Sequence, residues 1–166
     1  MTAKTKTAAG LGARHDRIVQ EHQHDTYKLR GKLTEPTVCT ECRALFHKGR
    51  WTWGVKPADA NEIICPACMR IRDNYPKGLV TLKGSFKDEQ HDQVTGLVRN
   101  AEETEKHEHP LSRIMSIETK PEGPVISTTD SHLPRRIGEA LKHAYHGELE
   151  LHYDKDEDFV RVTWMR

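Results

Sequence analysis

All four cysteines of this chain fall into two C-x-x-C pairs, Cys39-Thr40-Glu41-Cys42 and Cys65-Pro66-Ala67-Cys68, with 22 residues between them. Two intervening residues let both sulfurs of a tight turn point at the same ion, and two such turns complete the thiolate tetrahedron that Zn²⁺ prefers. The spacing therefore predicts a structural Zn²⁺ held by Cys39, Cys42, Cys65 and Cys68. Four protein ligands fill every position of a tetrahedral ion, which leaves no site for water and argues against Lewis-acid catalysis. Three alternatives stand beside this reading, one of them being that the cysteines hold no metal at all. Cys65-Pro66-Ala67-Cys68 looks like a thioredoxin-type redox pair, although such a pair works alone at a helix start with no second pair to join it. Iron in place of zinc stays open on chemical grounds.

A lean composition agrees with small metal-stapled modules. The chain has 166 residues, 35% apolar and 31% charged, which is little apolar surface for one large core. Charge is unevenly spread: residues 1–32 carry seven Lys/Arg against three Asp/Glu, residues 33–86 eight against five, residues 87–109 three against seven, and residues 110–166 eight against ten. A basic front half suits a polyanionic partner. No run approaches the roughly 20 apolar residues of a membrane span, and Met1–Thr7 lacks an apolar signal segment. With all cysteines in C-x-x-C pairs, the expectation is a soluble cytoplasmic protein with no membrane partner.

Four regions follow from the patterning. Residues 1–32 are poor in large apolar side chains and read as a disordered basic arm, with a short helix near Arg14–Tyr27. Residues 33–86 read as a four-cysteine zinc ribbon. In it, a hairpin turns around His47-Lys48-Gly49, Arg50–Trp53 alternates with both tryptophans on one face, and Leu79–Phe86 adds a strand. Residues 87–109 form a connecting amphipathic helix, with Val94, Leu97, Val98 and Ala101 on its apolar stripe and Glu102, Glu103, Glu105 and Glu108 on a solvated face. Residues 110–166 read as a ββαββ α+β sandwich: strands at 113–118 and 125–129, a helix capped by Asp130 or Ser131 and closed by Gly147, then strands at 148–153 and 159–164. The fold class is α+β.

Around the cysteines, cations interleave with aromatic residues. Arg43, Lys48, Arg50, Arg70, Arg72 and Lys77 could neutralise phosphates, and Trp51 and Trp53 could stack on unpaired bases. The competing reading makes the tryptophans core and the cations solvated. The histidine pairs His22/His24, His107/His109 and His143/His146 lack a completing ligand and read as exposed polar faces. The chain has no G-x-x-x-x-G-K, G-x-G-x-x-G, H-E-x-x-H or G-x-S-x-G motif, so the expectation is a non-enzymatic protein.

Three stretches carry a resemblance: Cys65–Gly78, Thr128–Gly138 and Val160–Arg166. Together they resemble a family of uncharacterised bacterial zinc-ribbon proteins, over about residues 33–166. A fainter similarity is to the zinc-bearing N-terminal region of the archaeal and eukaryotic large-ribosomal-subunit export adaptor, which also joins C-x-x-C knuckles to an α/β element. That family has more C-x-x-C pairs than this chain. By analogy the likeness implies contact with RNA or the ribosome. A protein–protein adaptor working through the ββαββ unit, and a zinc-linked redox sensor, are the other functional classes the sequence allows.

Overall fold

The computed structural model describes residues 25–29, 31–85, 88–154, 156 and 158–166. Most of the expected basic arm, residues 1–24, lies outside the described residues, as does Phe86. The fold is mixed α and β, with two sheets and three helices among the described residues.

The first unit is a small sheet on a helix. Strands β1 (Thr37–Cys39), β2 (Leu45–His47), β3 (Arg50–Thr52) and β4 (Asn61–Ile63) lie in the order β3-β2-β1-β4, and helix α1 (Pro66–Asp73) follows. The hairpin between β2 and β3 is the one expected at His47-Lys48-Gly49. Lys48 and Gly49 both adopt positive φ, 52° and 75°, as a two-residue turn matched to strand twist requires. Glu35 holds that turn by accepting from the backbone N–H groups of Lys48 (2.6 Å) and Gly49 (3.1 Å). Pro66 opens α1 at the position where its missing N–H costs nothing, and Asn74 closes the helix in the left-handed region at φ 50°.

The second unit is a five-stranded sheet covered by two helices. Its strands are β5 (Gly78–Lys83), β6 (Ile114–Lys120), β7 (Gly123–Thr128), β8 (Glu148–Asp154) and β9 (Phe159–Met165), in the order β6-β7-β5-β9-β8. Helices α2 (Asp88–Glu108) and α3 (His132–Tyr145) pack on it. Alternation in the strands accounts for this: Val80 and Leu82 on β5 and Val160, Val162 and Trp164 on β9 are all buried. They meet Val94 and Val98 of α2 and Leu133, Ile137 and Leu141 of α3 in one core. Trp164 satisfies its buried indole N–H on the His146 carbonyl (2.7 Å). Gly138 lets α3 approach the sheet closely, because a Cβ there would stand 2.7 Å from Leu149 and 2.8 Å from Val162. Asp130 caps α3, accepting from the Leu133 N–H (3.2 Å), and Ser131 makes no such bond.

Three expectations change. The strand expected to complete the ribbon is instead the centre of the second sheet, antiparallel to β7 and parallel to β9. Local alternation gives a strand its two faces and says nothing of which sheet it joins, and the apolar face of β5 has no partner in the small unit. The ββαββ segment is therefore not a separate sandwich, because β5 separates its two hairpins. The helix expected as a connector is a layer of the second unit. Its Glu102 and Glu105 are half-buried rather than solvated: Glu102 accepts from the Ile114 N–H (2.7 Å), and Glu105 pairs with Arg136 (2.9 Å).

A chain cut to residues 110–166 lacks β5 and α2 and is expected to stay unfolded by circular dichroism, whereas residues 76–166 should unfold cooperatively. A folded 110–166 fragment would contradict the central place given to β5.

Candidate metal centre

The four cysteines come together from two kinds of local structure. Cys39 and Cys42 lie on a tight turn after β1, closed by Arg43 N–H to Cys39 O (3.0 Å) and Cys39 N–H to Ala44 O (2.8 Å). Arg43 takes positive φ, 66°, to bring the chain back into β2. Cys65 and Cys68 belong to the start of α1, where Cys65 is the N-cap and its sulfur accepts from the Cys68 N–H (3.4 Å). The second pair is thus a helix start and not a second knuckle between strands. One turn of helix puts both sulfurs on the same side as surely as a knuckle does.

Geometry fits a tetrahedral metal site. Cys39 and Cys68 sulfurs are 3.8 Å apart, Cys42 and Cys65 sulfurs 3.7 Å, and all four lie within 4.8 Å of one another with no disulfide among them. A tetrahedron with metal–sulfur bonds of about 2.3 Å has edges of about 3.8 Å. Among the described residues no other group of three or more His, Cys, Asp or Glu converges in this way. The histidine pairs at 107/109 and 143/146 gain no further ligand among the described residues, and His22/His24 lie outside them.

Electrostatics point the same way. Four sulfurs at this spacing cannot all carry charge without a cation among them. Cys42 is held down to about 4, chiefly by the hydrogen bond from Cys65. Cys65 is pushed far up by donating that bond and then by burial. Burial leads in pushing Cys68 up to about 11. A divalent ion removes the conflict by stabilising every thiolate at once. Backbone donors add to this, with Cys65 N–H at 3.3 Å from the Cys39 sulfur. So does one side chain from the second unit: the Arg113 guanidinium lies 3.4 Å from the Cys65 sulfur and 3.2 Å from that of Cys68. Burial opposes its charge, but the Cys68 sulfur and the other thiols raise its pKa further still. Cys39, Cys65 and Cys68 are buried, and Cys42 is half-buried.

The surrounding cations and tryptophans do not form one surface. Arg50 and Trp51 are consecutive on β3 and so point to opposite faces. Trp51 is half-buried against the cage and meets Phe46 edge-on at 5.5 Å. Trp53, 39% exposed, donates its indole N–H to the Lys106 carbonyl at the end of α2 (2.8 Å). Arg70 is only 5% exposed. It is ion-paired to Asp25 (2.6 Å) and stacked over Tyr27 at 4.5 Å. Lys77 bridges Asp25 (3.1 Å) and Asp158 (2.8 Å). These two cations hold the protein together and are not available to phosphate. Arg72 is exposed beside Asp73 (3.4 Å). Arg43, Lys48 and Arg50 are exposed, with no salt bridge or side-chain hydrogen bond among the described residues.

Sequence patterning gave no hint of Arg113, Asp25 or Tyr27. Asp25 and Tyr27 belong to the expected disordered arm, yet they dock on α1, Tyr27 stacking on Tyr75 at 5.7 Å and donating to Asp73 at 3.0 Å. They also wall a cleft of about 560 Å³ between the units, shared with Phe46, Trp51, Lys77 and Leu111. No family model matches the chain, and neither does any curated protein or solved structure.

Two outcomes follow from this geometry. Cys68→Ser leaves three thiolates and should bring bound metal well below one ion per chain, with loss of amide protection across residues 37–73; full metal content and unchanged protection would contradict the cage. For Asp25, burial works to raise the carboxyl, but the Tyr27 N–H, Lys77 and Arg70 outweigh it and hold it below the ordinary range. Its stabilising contribution is therefore complete above the unfolded value of about 3.9 and is lost as pH falls through the lower folded value. In thermal unfolding, wild type should exceed Asp25→Asn at pH 7, and the difference should vanish in acid. A difference that grows in acid would reverse the sign.

Proposed function

We propose that the protein is a non-enzymatic zinc-binding module that contacts RNA through the outer edge of its metal unit. The observation that carries the zinc assignment is the sulfur tetrahedron, whose edges suit Zn²⁺ and whose four thiolates leave no open position for a reacting ligand. Burial of three of the four sulfurs favours a structural ion over a redox sensor, since oxidation needs an exposed thiolate. The RNA reading rests on Arg43, Lys48 and Arg50, exposed cations of the knuckle and hairpin that form no salt bridge among the described residues, with Arg72 on α1 as a further contact. Arg70 and Lys77 are left out because Asp25 and Asp158 occupy them. Trp51 keeps part of its ring open to the cleft and is the residue suited to stacking. The zinc-ribbon family that the chain resembles brings no established activity; the fainter similarity to the ribosomal export adaptor supports an RNA or ribosome partner by analogy. Among the described residues no helix is long and apolar enough to cross a membrane.

A second reading has a specific observation behind it. Strand β8 is an edge of the larger sheet, and Leu151 and Tyr153 stand exposed on it at 39% and 51%. An unpaired edge with apolar side chains accepts an added strand from a protein partner.

Titration with a structured RNA carrying single-stranded loops, at several salt concentrations, tests the first reading. Replacing Arg43, Lys48 and Arg50 by Ala together should weaken binding and reduce the slope of log K against log salt by roughly 2, at about 0.7 per lost single-strand phosphate contact. Unchanged affinity and slope, or a wild type that ignores RNA at low salt, would overturn it. A partner retained after nuclease treatment and lost on Tyr153→Lys would favour the β8 edge instead.

A further inference from the structure

Arg113 is the one side chain of the larger sheet unit that hydrogen-bonds to the cage sulfurs, among the described residues. It stands just before β6, 45 residues after Cys68, and a single nitrogen, Nη2, reaches the sulfurs of both Cys65 and Cys68. Its position is fixed from its own unit. The Arg113 N–H donates to the Thr129 hydroxyl (2.9 Å), and the Thr129 N–H donates to the Arg113 carbonyl (3.0 Å). The Thr129 hydroxyl in turn donates to the Leu111 carbonyl (2.6 Å), while Ser112 donates to Asp130 (2.7 Å). Leu111 then packs against the cysteine cluster. The strand start is therefore aimed at the metal unit by bonds that do not involve the metal unit.

The chemistry of this contact is that of an anion. The Nε of Arg113 is buried with no partner of its own among the described residues. Arg113 as a whole is half-buried, and a guanidinium drawn even partly out of water is costly unless an anion compensates it. Neutral thiols would not, whereas four thiolates around a divalent ion carry a net charge of about −2. Hydrogen-bonded groups just outside a ligand shell orient the ligands and tune the metal, and their loss typically weakens metal binding about 10–100-fold.

We propose that Arg113 is a positioning residue of the metal cage, by which the sheet unit offsets thiolate charge and ties the retention of the ion to the docking of the two units. This rests on the reading of the cage as an occupied metal centre. By linkage, the ion should hold the units together as firmly as their docking holds the ion. The guanidinium also draws electron density from Cys65 and Cys68, so it lowers their nucleophilicity and keeps the cage inert.

The test uses the full, zinc-loaded chain. Competition with a chromophoric chelator and alkylation with iodoacetamide are compared for wild type, Arg113→Met and Arg113→Lys. Arg113→Met keeps the stem and removes the charge; it should release zinc at about 10–100-fold lower chelator concentration and be alkylated faster. Arg113→Lys should restore part of both. Arg113→Met with wild-type zinc affinity and alkylation rate would overturn the proposal, and so would Arg113→Lys behaving no better than Arg113→Met. Should the variants fail to fold, wild type loaded with cadmium-113 decides the matter: a scalar coupling between the ion and the Arg113 Nη protons through the N–H···S bond is expected, and its absence would count against the contact. A wild type that takes up no ion from excess zinc defeats the metal reading itself, and that result is distinct from the loss of Arg113's role.

Discussion

The smaller unit is organised around a crowding of four sulfurs whose spacing suits a metal ion. Four thiol groups converge within 4.8 Å in a unit whose strands have three residues each. Hydrophobic burial could not hold such short strands alone: Val38, Ala44 and Leu45 are about all the aliphatic core the strands and their turns supply. Coupling of metal binding to folding is the physical solution for units of this size. The knuckle supplies two sulfurs through a left-handed residue at Arg43, and the helix start supplies two through Pro66 and the Cys65 cap. Each device is local, and the convergence of the four sulfurs makes them one candidate metal site.

From that site the two units are joined by more than the chain. Residues 74–77 connect α1 to β5, but three further ties cross the junction. Arg113 reaches the cage sulfurs, Trp53 donates to the end of α2, and Asp25 gathers Arg70 of the metal unit together with Lys77, which Asp158 holds from the other side. Polar groups carry all three: Arg113 and Asp25 through charge, and Trp53 through a hydrogen bond from a partly exposed ring. Such ties specify one relative placement of the units, where an apolar contact alone would tolerate sliding. The same ties engage Arg70 and Lys77, whereas Arg43, Lys48, Arg50 and Arg72 stay exposed.

Legibility in the sequence followed the range of the interactions. The cysteine spacing, the Lys48-Gly49 turn, the apolar stripe of α2 and a helix cap at Asp130 or Ser131 are all settled within a few residues, and each was readable from its own segment, with the choice of Asp130 left to the structure. The partner of β5 was not, because Val80 and Leu82 mark a face and not a neighbour. Nor was the helical nature of the second cysteine pair, since C-x-x-C suits a knuckle and a first helical turn equally. Arg113, Asp25 and Tyr27 lie 45, 45 and 46 residues from the groups they bind, and no local pattern encodes contacts at that distance. The interleaving of cations with tryptophans misled for a related reason: adjacent residues on a strand share a sequence neighbourhood while facing opposite ways, as Arg50 and Trp51 do.

The closed four-thiolate zinc cage proposed for these cysteines has a direct spectroscopic signature. X-ray absorption at the zinc edge of the purified, zinc-loaded chain tests it most directly. The account predicts a single shell of four sulfurs at about 2.3 Å with no nitrogen or oxygen ligand. A mixed shell with nitrogen or oxygen, or fewer than four sulfurs around the ion, would contradict it.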